Sequence, residues 1–394
     1  MTAVESRSGL GTYADDLDGY RTALRAYLRS EPSLRRWRGA HYDTTEKRIA
    51  EHGFLMGGLY RGRWNRYGWP AHAGGLGGDE RHRAVLYEEL GAAGLPVPEP
   101  HLMLETLAPP LLRFSPELAA ELLPPYLRGE EWWGQGFSEP EAGSDLAALR
   151  CRARRDGDHY VLSGQKVWTS HGATARRLAC LVRTGTTESR HRGLSMILVD
   201  VATPGVSVRP LALASGQNEL AEVFFDEARV PASRLIGAAG EGWAVAMYLL
   251  QFERAMFAWL SATVALRRLR ELRDQVAATT LPDGATRRFG ECYADIVALR
   301  ARSVETVHRL ATGETVGPEA SVDKILLATV ETGLHDLARE LLGIRFTFGA
   351  EPDAASWRDD WWYSRGSTIM GGSAEVQRGI LADHVLGLPK ERSA

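Results

Sequence analysis

Cysteine is nearly missing from this chain of 394 residues: only Cys151, Cys180 and Cys292 occur, far apart, and one of them has no partner within the chain. That excludes a disulfide framework and gives no spacing for a thiolate zinc site, so no metal is expected and a reducing compartment is. Lysine is scarcer than arginine, with four in the whole chain (Lys47, Lys166, Lys324, Lys390). Neither sign of charge dominates, since 47 Lys+Arg stand against 50 Asp+Glu for a formal net charge of -3, so no whole-surface case for nucleic acid exists. No stretch approaches the ~18 apolar residues of a membrane span. The start, Thr2-Ala3-Val4-Glu5, lacks the basic-then-apolar pattern of a secretion signal, and a soluble cytoplasmic protein is expected. Motifs are missing too. There is no strand leading into GxGxxG, no GxxxxGK[ST], and no HExxH, GxSxG, CxxC or DxDxDG pattern, which removes the Rossmann-type and P-loop readings.

What is present is an ordinary globular composition, 44% hydrophobic and 25% charged, in a chain long enough for two or three domains or one composite unit. The first third reads helical. Leu24, Tyr27 and Leu28 share a face, Ala84 to Leu90 is a short helix, and Ser115-Pro116 opens a stripe of Leu118, Leu122 and Leu123. Gly74-Gly75-Leu76-Gly77-Gly78 must be irregular. Beyond residue 130 the period shortens to two. Leu149, Cys151 and Ala153 alternate with arginines, Asp156-Gly157-Asp158 can turn the chain, and Tyr160 to Trp168 can return it. Further short runs follow at Leu178 to Val182, Leu194 to Val199, Val206 to Val208 and Glu222 to Phe225, which argues for an antiparallel sheet or barrel. From about Gly240 the chain is helical again, with Ile325, Leu326, Val330, Leu334, Leu337, Leu341 and Leu342 in one stripe and Gly343 as its stop. The expected division is 1–130 helical, 131–240 β, and 241–394 helical. The arginines at 152, 154 and 155, and those at 267, 268, 270 and 273, read as solvated faces. The tryptophan pairs Trp132-Trp133 and Trp361-Trp362 read first as packing.

Within this helix–sheet–helix order, Gly136-Phe137-Ser138-Glu139-Pro140-Glu141-Ala142-Gly143-Ser144-Asp145 resembles the acyl-CoA dehydrogenase family. The resemblance continues at Gly164-Gln165-Lys166-Val167-Trp168-Thr169-Ser170, at Glu222 to Glu227, at Arg229-Val230-Pro231, and at Gly240 to Trp243. It closes with Gly371-Gly372-Ser373-Ala374-Glu375-Val376-Gln377-Arg378 and Val385-Leu386-Gly387-Leu388-Pro389. The blocks keep the family's order over roughly residues 20 to 390. The resemblance implies an α+β architecture with an N-terminal helical domain, a middle β-barrel and a C-terminal four-helix bundle. It also implies FAD in a cleft between barrel and bundle, with an acyl-CoA or acyl-carrier thioester beside it.

By the same resemblance, Gln135, Phe137, Ser138 and Ser144 would line the flavin and the upper acyl channel. Trp168 would cover the isoalloxazine and Ser170 would donate toward N5. Ser373 and Glu375 would complete the cofactor site, while Ser144, Arg254, Gly371 and Gly372 would meet the substrate. Trp168 and Ser170, two apart on a strand, share a face. Many family members carry the catalytic base in the loop where this chain has Gly371, which cannot take a proton. Another branch places it on the first long C-terminal helix, and the matching residue is Glu253. Its neighbours one turn away, Leu249, Leu250, Met256 and Phe257, are apolar, an environment suited to a general base.

Two departures accompany that change. Thr286 stands where members commonly have an arginine that reaches FAD across a subunit interface, and Phe346 to Trp361 lacks the glutamine-containing glycine-rich loop of many homomeric members. Both resemble the base-bearing subunits of bacterial heteromeric dehydrogenases that act on sterol side chains. The implied reaction is dehydrogenation of a branched or bulky acyl thioester to the trans-2,3-enoyl thioester. Electrons would pass to electron-transferring flavoprotein, from a homo-oligomer or a heteromer with a related chain. A flavin monooxygenase and a non-catalytic structural subunit are the rival readings; no nucleic-acid or membrane partner is expected.

Overall fold

The computed structural model describes residues 11–389, so the Thr2–Glu5 start, Lys390 and the outermost ends of the expected 1–130 and 241–394 segments lie outside the described residues. In chain order the helices α1 (Leu17–Ser30), α2 (Thr45–Arg61), α3 (Glu80–Ala92), α4 (Pro100–Phe114) and α5 (Pro116–Leu127) come first. The strands follow: β1 (Trp133–Gly136), β2 (Arg152–Asp156), β3 (His159–Ser170), β4 (Arg177–Arg183), β5 (Leu194–Asp200), β6 (Val206–Leu211), β7 (Leu220–Pro231) and β8 (Leu235–Ile236). The remainder is α6 (Gly242–Val276), α7 (Ala285–Ala311), α8 (Ala320–Leu342), α9 (Ile344–Phe348), α10 (Pro352–Ser364) and α11 (Ala374–His384). Contacts divide the chain into two compact units. One holds residues 11–17, Tyr42–Asp79 and Pro98–Phe252; the other holds Asp18–His41, Glu80–Val97 and residues 253–389.

The first unit is built on an eight-stranded sheet in the order β6-β7-β3-β2-β4-β5-β8, with β1 joined to β4. This corrects the expected barrel: the sheet is mixed and open. The end strands β6 and β8 pair only inward, with β7 and β5, and β8 is two residues long, too short to close a ring. β1 and β2 both run parallel to β4, whereas the other pairings are antiparallel. The β2–β3 hairpin forms where the turn chemistry placed it, with Asp156 opposite His159 and Gly157 at φ 61.

Both faces of the sheet are covered. Leu178, Cys180 and Val182 of β4 join Leu162, Ile197 and Phe225 in one apolar cluster. Ala179 and Leu181, on the opposite face, join Leu107 and Leu111 of α4, Leu122 and Leu123 of α5, and Leu249 of α6. Double burial explains why β4 reads as a continuous apolar run. Ser115 precedes α5 as expected, but its hydroxyl does not cap that helix; it donates to the Leu235 carbonyl at 3.2 Å and accepts the Gly237 N–H at 3.1 Å.

The second unit packs α6, α7 and α8 around Leu269, Leu272, Ile296, Leu299, Leu327 and Leu334, with Trp357 of α10 fully buried among them. Of the expected α8 stripe, Val330, Leu334, Leu337 and Leu342 are buried, Ile325, Leu326 and Leu341 only partly so, and Leu327 is buried in addition; Gly343 ends the helix at φ 52. Of the tryptophan pairs, Trp133 sits edge-on against Tyr126 at 4.7 Å and Trp361 edge-on against Trp362 at 4.8 Å, which is packing.

Candidate active site

In the first unit the structure brings together two sequence blocks that are almost thirty residues apart. Gln135 lies on β1, half-buried, and Phe137 is buried just beyond the strand end. The loop that follows is pinned to β3: the Ser138 carbonyl accepts the Val167 N–H at 2.9 Å, which sets Ser138 beside the residue preceding Trp168. Beneath it, Lys166 is fully buried and donates to the Phe137 carbonyl at 3.0 Å and to Glu139 Oε1 at 2.7 Å. The Glu139 carboxylate also accepts the N–H groups of Arg150 (2.6 Å) and Cys151 (2.9 Å). A buried charge pair with this many donors is satisfied, and it fixes the loop from below. Ser144 is exposed further along, where Asp145 pairs with Arg190 at 2.8 Å.

At this same end of β3 the ladder slips between Lys166 and Thr169, a bulge that puts an extra residue in this strand. Trp168 sits there at φ 59, a backbone conformation costly for a large side chain, and its surface is 60% exposed. Thr169 between Trp168 and Ser170 is fully buried, so the outer two share the less buried side, as the strand alternation requires. The hydroxyls of Ser138 and Ser170 have no hydrogen-bond partner among the described residues.

Sequence reasoning missed the charged cluster behind this edge. Arg48 of α2 bridges Glu99 and Glu219, at 2.5 Å each, and His171, next after Ser170, places Nε2 3.6 Å from Glu99. Burial acts to raise the Glu99 carboxyl, but Arg48, His171 and His52 outweigh it and hold it below the usual range. Glu219 goes the other way: burial raises it and Arg48 offsets this only in part. These residues stand alone in the sequence, separated by about fifty and more than a hundred positions, so no local pattern announces them.

The second unit gathers Glu253, Arg254, Gly371 and Gly372. Glu253 and Arg254 are adjacent on α6 and both partly buried. The two glycines adopt φ 64 and φ 95, conformations open to glycine and strained for other residues. They are also required by space. A Cβ on Gly371 would lie 2.9 Å from Glu253 Oε1 and 3.3 Å from Lys324 Cε, and one on Gly372 would lie 2.3 Å from Gln377 Nε2. Burial lowers the Arg254 guanidinium from its ordinary value, with Glu253 acting against the shift.

Ser373 caps α11, its hydroxyl accepting the Val376 N–H at 3.3 Å, and Glu375 is exposed in the first turn, where a negative charge suits the helix dipole. Two further residues here escaped the sequence reading. Lys324 of α8 is 7% exposed and donates to the Ser367 carbonyl; Gln377 is fully buried, with neither amide atom hydrogen-bonded among the described residues. Lys324 had a signal: Ala320, Leu327 and Ala328, one turn away on either side, put it on the buried face of α8.

The middle-domain model of acyl-CoA dehydrogenases matches residues 134–228 and the C-terminal-domain model matches 240–386. The acyl-CoA dehydrogenase IpdE1 of Mycobacterium tuberculosis is 38% identical over 327 residues, 82% of this chain and 84% of its own length. The chain belongs to the acyl-CoA dehydrogenase family. Among solved structures, the Tcur3481-Tcur3483 steroid ACAD is similar with a TM-score of 0.81 and 27% identity, over 95% of this chain and 98% of that one. The ChsE4-ChsE5 complex from Mycobacterium tuberculosis gives 0.78 and 26%, over 96% and 99%.

As a member of the acyl-CoA dehydrogenase family, the chain is an oxidoreductase of lipid metabolism that carries out FAD-dependent dehydrogenation of the acyl-CoA type. Its own residues fit such a cofactor: an exposed indole on a backbone held at φ 59 and two unengaged hydroxyls at one end of a strand offer a flat apolar surface with polar edges. Among the described residues no His, Cys, Asp and Glu group could hold a metal, and no helix is long and apolar enough to cross a membrane.

Proposed function

We propose that Glu253 is the base of this acyl-CoA dehydrogenase and that its substrate is a branched, cyclic or otherwise bulky acyl thioester of CoA or of a carrier protein. The observation that carries the reading is the Glu253 carboxylate beside Gly371, the loop position where many members have the base. FAD, when bound, supplies the acceptor for the β-hydride. Glu253 takes the α-proton, and the electron pair freed at the α-carbon becomes the carbon–carbon double bond as the hydride leaves. A backbone N–H near Gly371 holds the thioester oxygen while negative charge develops on it.

Gln135, Phe137, Ser138, Ser144, Trp168 and Ser170, with Ser373 and Glu375, form the cofactor set of this reading. Arg254, Gly371 and Gly372, with Ser144, form the substrate set. Glycine at 371 yields the volume beside it to the Glu253 carboxylate, which supports a base carried by the helix and not by the loop. Support for a bulky acyl group comes from the names of relatives: a steroid ACAD, and the cyclohexane-1-carbonyl-CoA dehydrogenase of Geobacter metallireducens, 38% identical over 135 residues.

The division into 1–130, 131–240 and 241–394 belongs to the same proposal, and the spans of the two family models support its later boundaries. We also place the protein in a heteromer with a related chain, in the cytoplasm, with electron-transferring flavoprotein as acceptor. An apolar strip of Tyr293, Val297 and Val304, 42–53% exposed on α7, supports association with another chain. So does the two-chain composition of the ChsE4-ChsE5 complex.

The test is anaerobic flavin spectroscopy on protein purified alone and with a co-encoded homologue, with cyclohexanecarbonyl-CoA and butyryl-CoA as probes. Rapid loss of oxidised flavin absorbance with enoyl product for the cyclic probe is expected, and its abolition in Glu253→Gln with FAD retained. Turnover in Glu253→Gln would remove the assignment of the base. A preference for butyryl-CoA would remove the bulky substrate.

A further inference from the structure

Trp168 and Ser170, which the reading above sets against the cofactor, stand on a short and unusual stretch of backbone. Trp168 is at φ 59 and His171 at φ 52, so two residues with side chains adopt left-handed backbone within four positions. Such conformations persist only where the surroundings over-determine them. Past the bulge, β3 has two ladder pairs left, Thr169 opposite Ala221 and Ser170 opposite Leu220. The next step rests on one bond, in which the Glu219 carbonyl accepts the His171 N–H at 2.6 Å. On the far side the His171 carbonyl accepts the N–H groups of Thr174 and Ala175, both at 2.9 Å.

What holds Glu219 is Arg48. Its guanidinium reaches Glu219 through Nη2 and Glu99 through Nε, at 2.5 Å each, so one planar fork ties α2 to the segments that precede β7 and α4. The two carboxylates differ in what else supports them. Glu99 also faces His171 Nε2 at 3.6 Å and His52 Nδ1 at 4.0 Å, and its backbone N–H donates to that same His52 atom at 3.2 Å. Glu219 has Arg48 alone as ion-pair partner among the described residues. Burial raises its carboxyl, Arg48 lowers it and Glu99 raises it again, so without the guanidinium the charged side chain has nothing to hold it in a buried place. The carboxylate that Arg48 grips and the carbonyl that grips His171 belong to one residue. A displaced Glu219 therefore releases the turn.

We propose that Arg48 is a positioning residue for this end of β3: by clamping Glu219 it holds the 168–171 backbone in the form that presents Trp168 and Ser170 to the cofactor. The inference rests on the reading of those two residues as part of the cofactor set. Arg48 acts through Glu219 and His171, so its effect reads out in the placement of the Trp168 indole and in the retention of FAD, without any substrate.

The test uses flavin-loaded protein labelled with 5-fluorotryptophan, prepared with the co-encoded homologue if that is what retains FAD. Trp168→Phe identifies the Trp168 fluorine signal by its loss. Glu219→Leu removes the gripped side chain and leaves Arg48 paired with Glu99, so no buried carboxylate is stranded. In this variant the Trp168 signal is expected to shift, and FAD to be released about tenfold more readily on dilution, read by flavin fluorescence. Arg48→Met should shift the same signal, and adding Glu219→Leu to it should change FAD release no further, since both break one link. A Trp168 signal left in place in Glu219→Leu overturns the proposal, as do independent, additive losses in the double variant. A merely structural Arg48 would lower denaturant stability in Arg48→Met and leave the Trp168 signal and FAD release as in wild type. If Arg48→Met does not fold, the comparison of wild type with Glu219→Leu decides. The two readings fail separately. A displaced Trp168 signal, with FAD retention indifferent to Trp168→Ala, refutes the cofactor set, while an undisturbed signal in Glu219→Leu, with retention lost in Trp168→Ala, refutes the positioning role.

Discussion

Glu253 Oε1 lies 2.9 Å from the place a Cβ would occupy on Gly371, so a helix-borne carboxylate and a side-chain-free loop position share one volume. The glycine is required twice over, by the carboxylate and by its own φ of 64.

Gly371→Ala should therefore keep the fold and impair the site. The strained backbone costs about 1–2 kcal/mol, and the new methyl group displaces Glu253 or is itself displaced. A fall in the rate of flavin reduction of roughly tenfold or more is expected, with melting lowered by only a few degrees. Stopped-flow absorbance and a melting curve on one preparation check it. An unaltered rate would mean that the carboxylate beside Gly371 is not positioned for chemistry.

Trp168→Ala separates ligand binding from folding. The indole is 60% exposed, so its removal should change stability by no more than about 0.5 kcal/mol. Loss of the stacking surface should weaken FAD retention by about tenfold, with Trp168→Phe between the two. Flavin released on dilution, read by fluorescence, provides the measure. Equal retention in wild type and Trp168→Ala would place the cofactor elsewhere.

Lys166→Met strikes the support of the Ser138 loop. It leaves the Glu139 carboxylate, 8% exposed, with its backbone donors and without its cation. Breaking one side of such a buried pair costs about 3–5 kcal/mol. Denaturant unfolding should show this loss; a change below 1 kcal/mol would mean that the loop is held by its backbone bonds alone.

How far the sequence showed these arrangements depends on the range of the interaction. The β2–β3 turn and the α8 stripe rest on neighbours within a few residues, and periodicity and turn chemistry located them. The order of motif blocks was enough for the family. Sheet closure was not legible, because it depends on whether β6 and β8 meet, and a two-residue strand has no pattern of its own. Arg48, Glu99, Glu219 and His171 come together from four separate stretches of chain, and each alone resembles a surface residue. Gln377 was hidden for a related reason: the start of α11 is otherwise exposed, and only the close approach of Gly372 shows that the amide points inward.

Acid stability gives the last expectation, carried by His101 at the start of α4. Complete burial, aided by the neighbouring His52, pushes its imidazolium down to about 3. In the unfolded chain the ring protonates near 6.5. Between these values the unfolded state binds the extra proton, so stability contributed by His101 is fully present above about pH 6.5 and is lost as the pH falls toward 3. The slope from this one group is about 1.4 kcal/mol per pH unit. Asp323 acts in the opposite sense: burial raises its carboxyl to about 6, so its contribution grows as the pH falls from there. Wild-type stability alone therefore mixes the two, whereas the difference between wild type and His101→Leu cancels Asp323. Urea unfolding at pH 7, 6 and 5 should show that difference moving in favour of His101→Leu by more than 1 kcal/mol between pH 6 and 5. A difference independent of pH would mean that the ring protonates in the folded protein as readily as in the unfolded one.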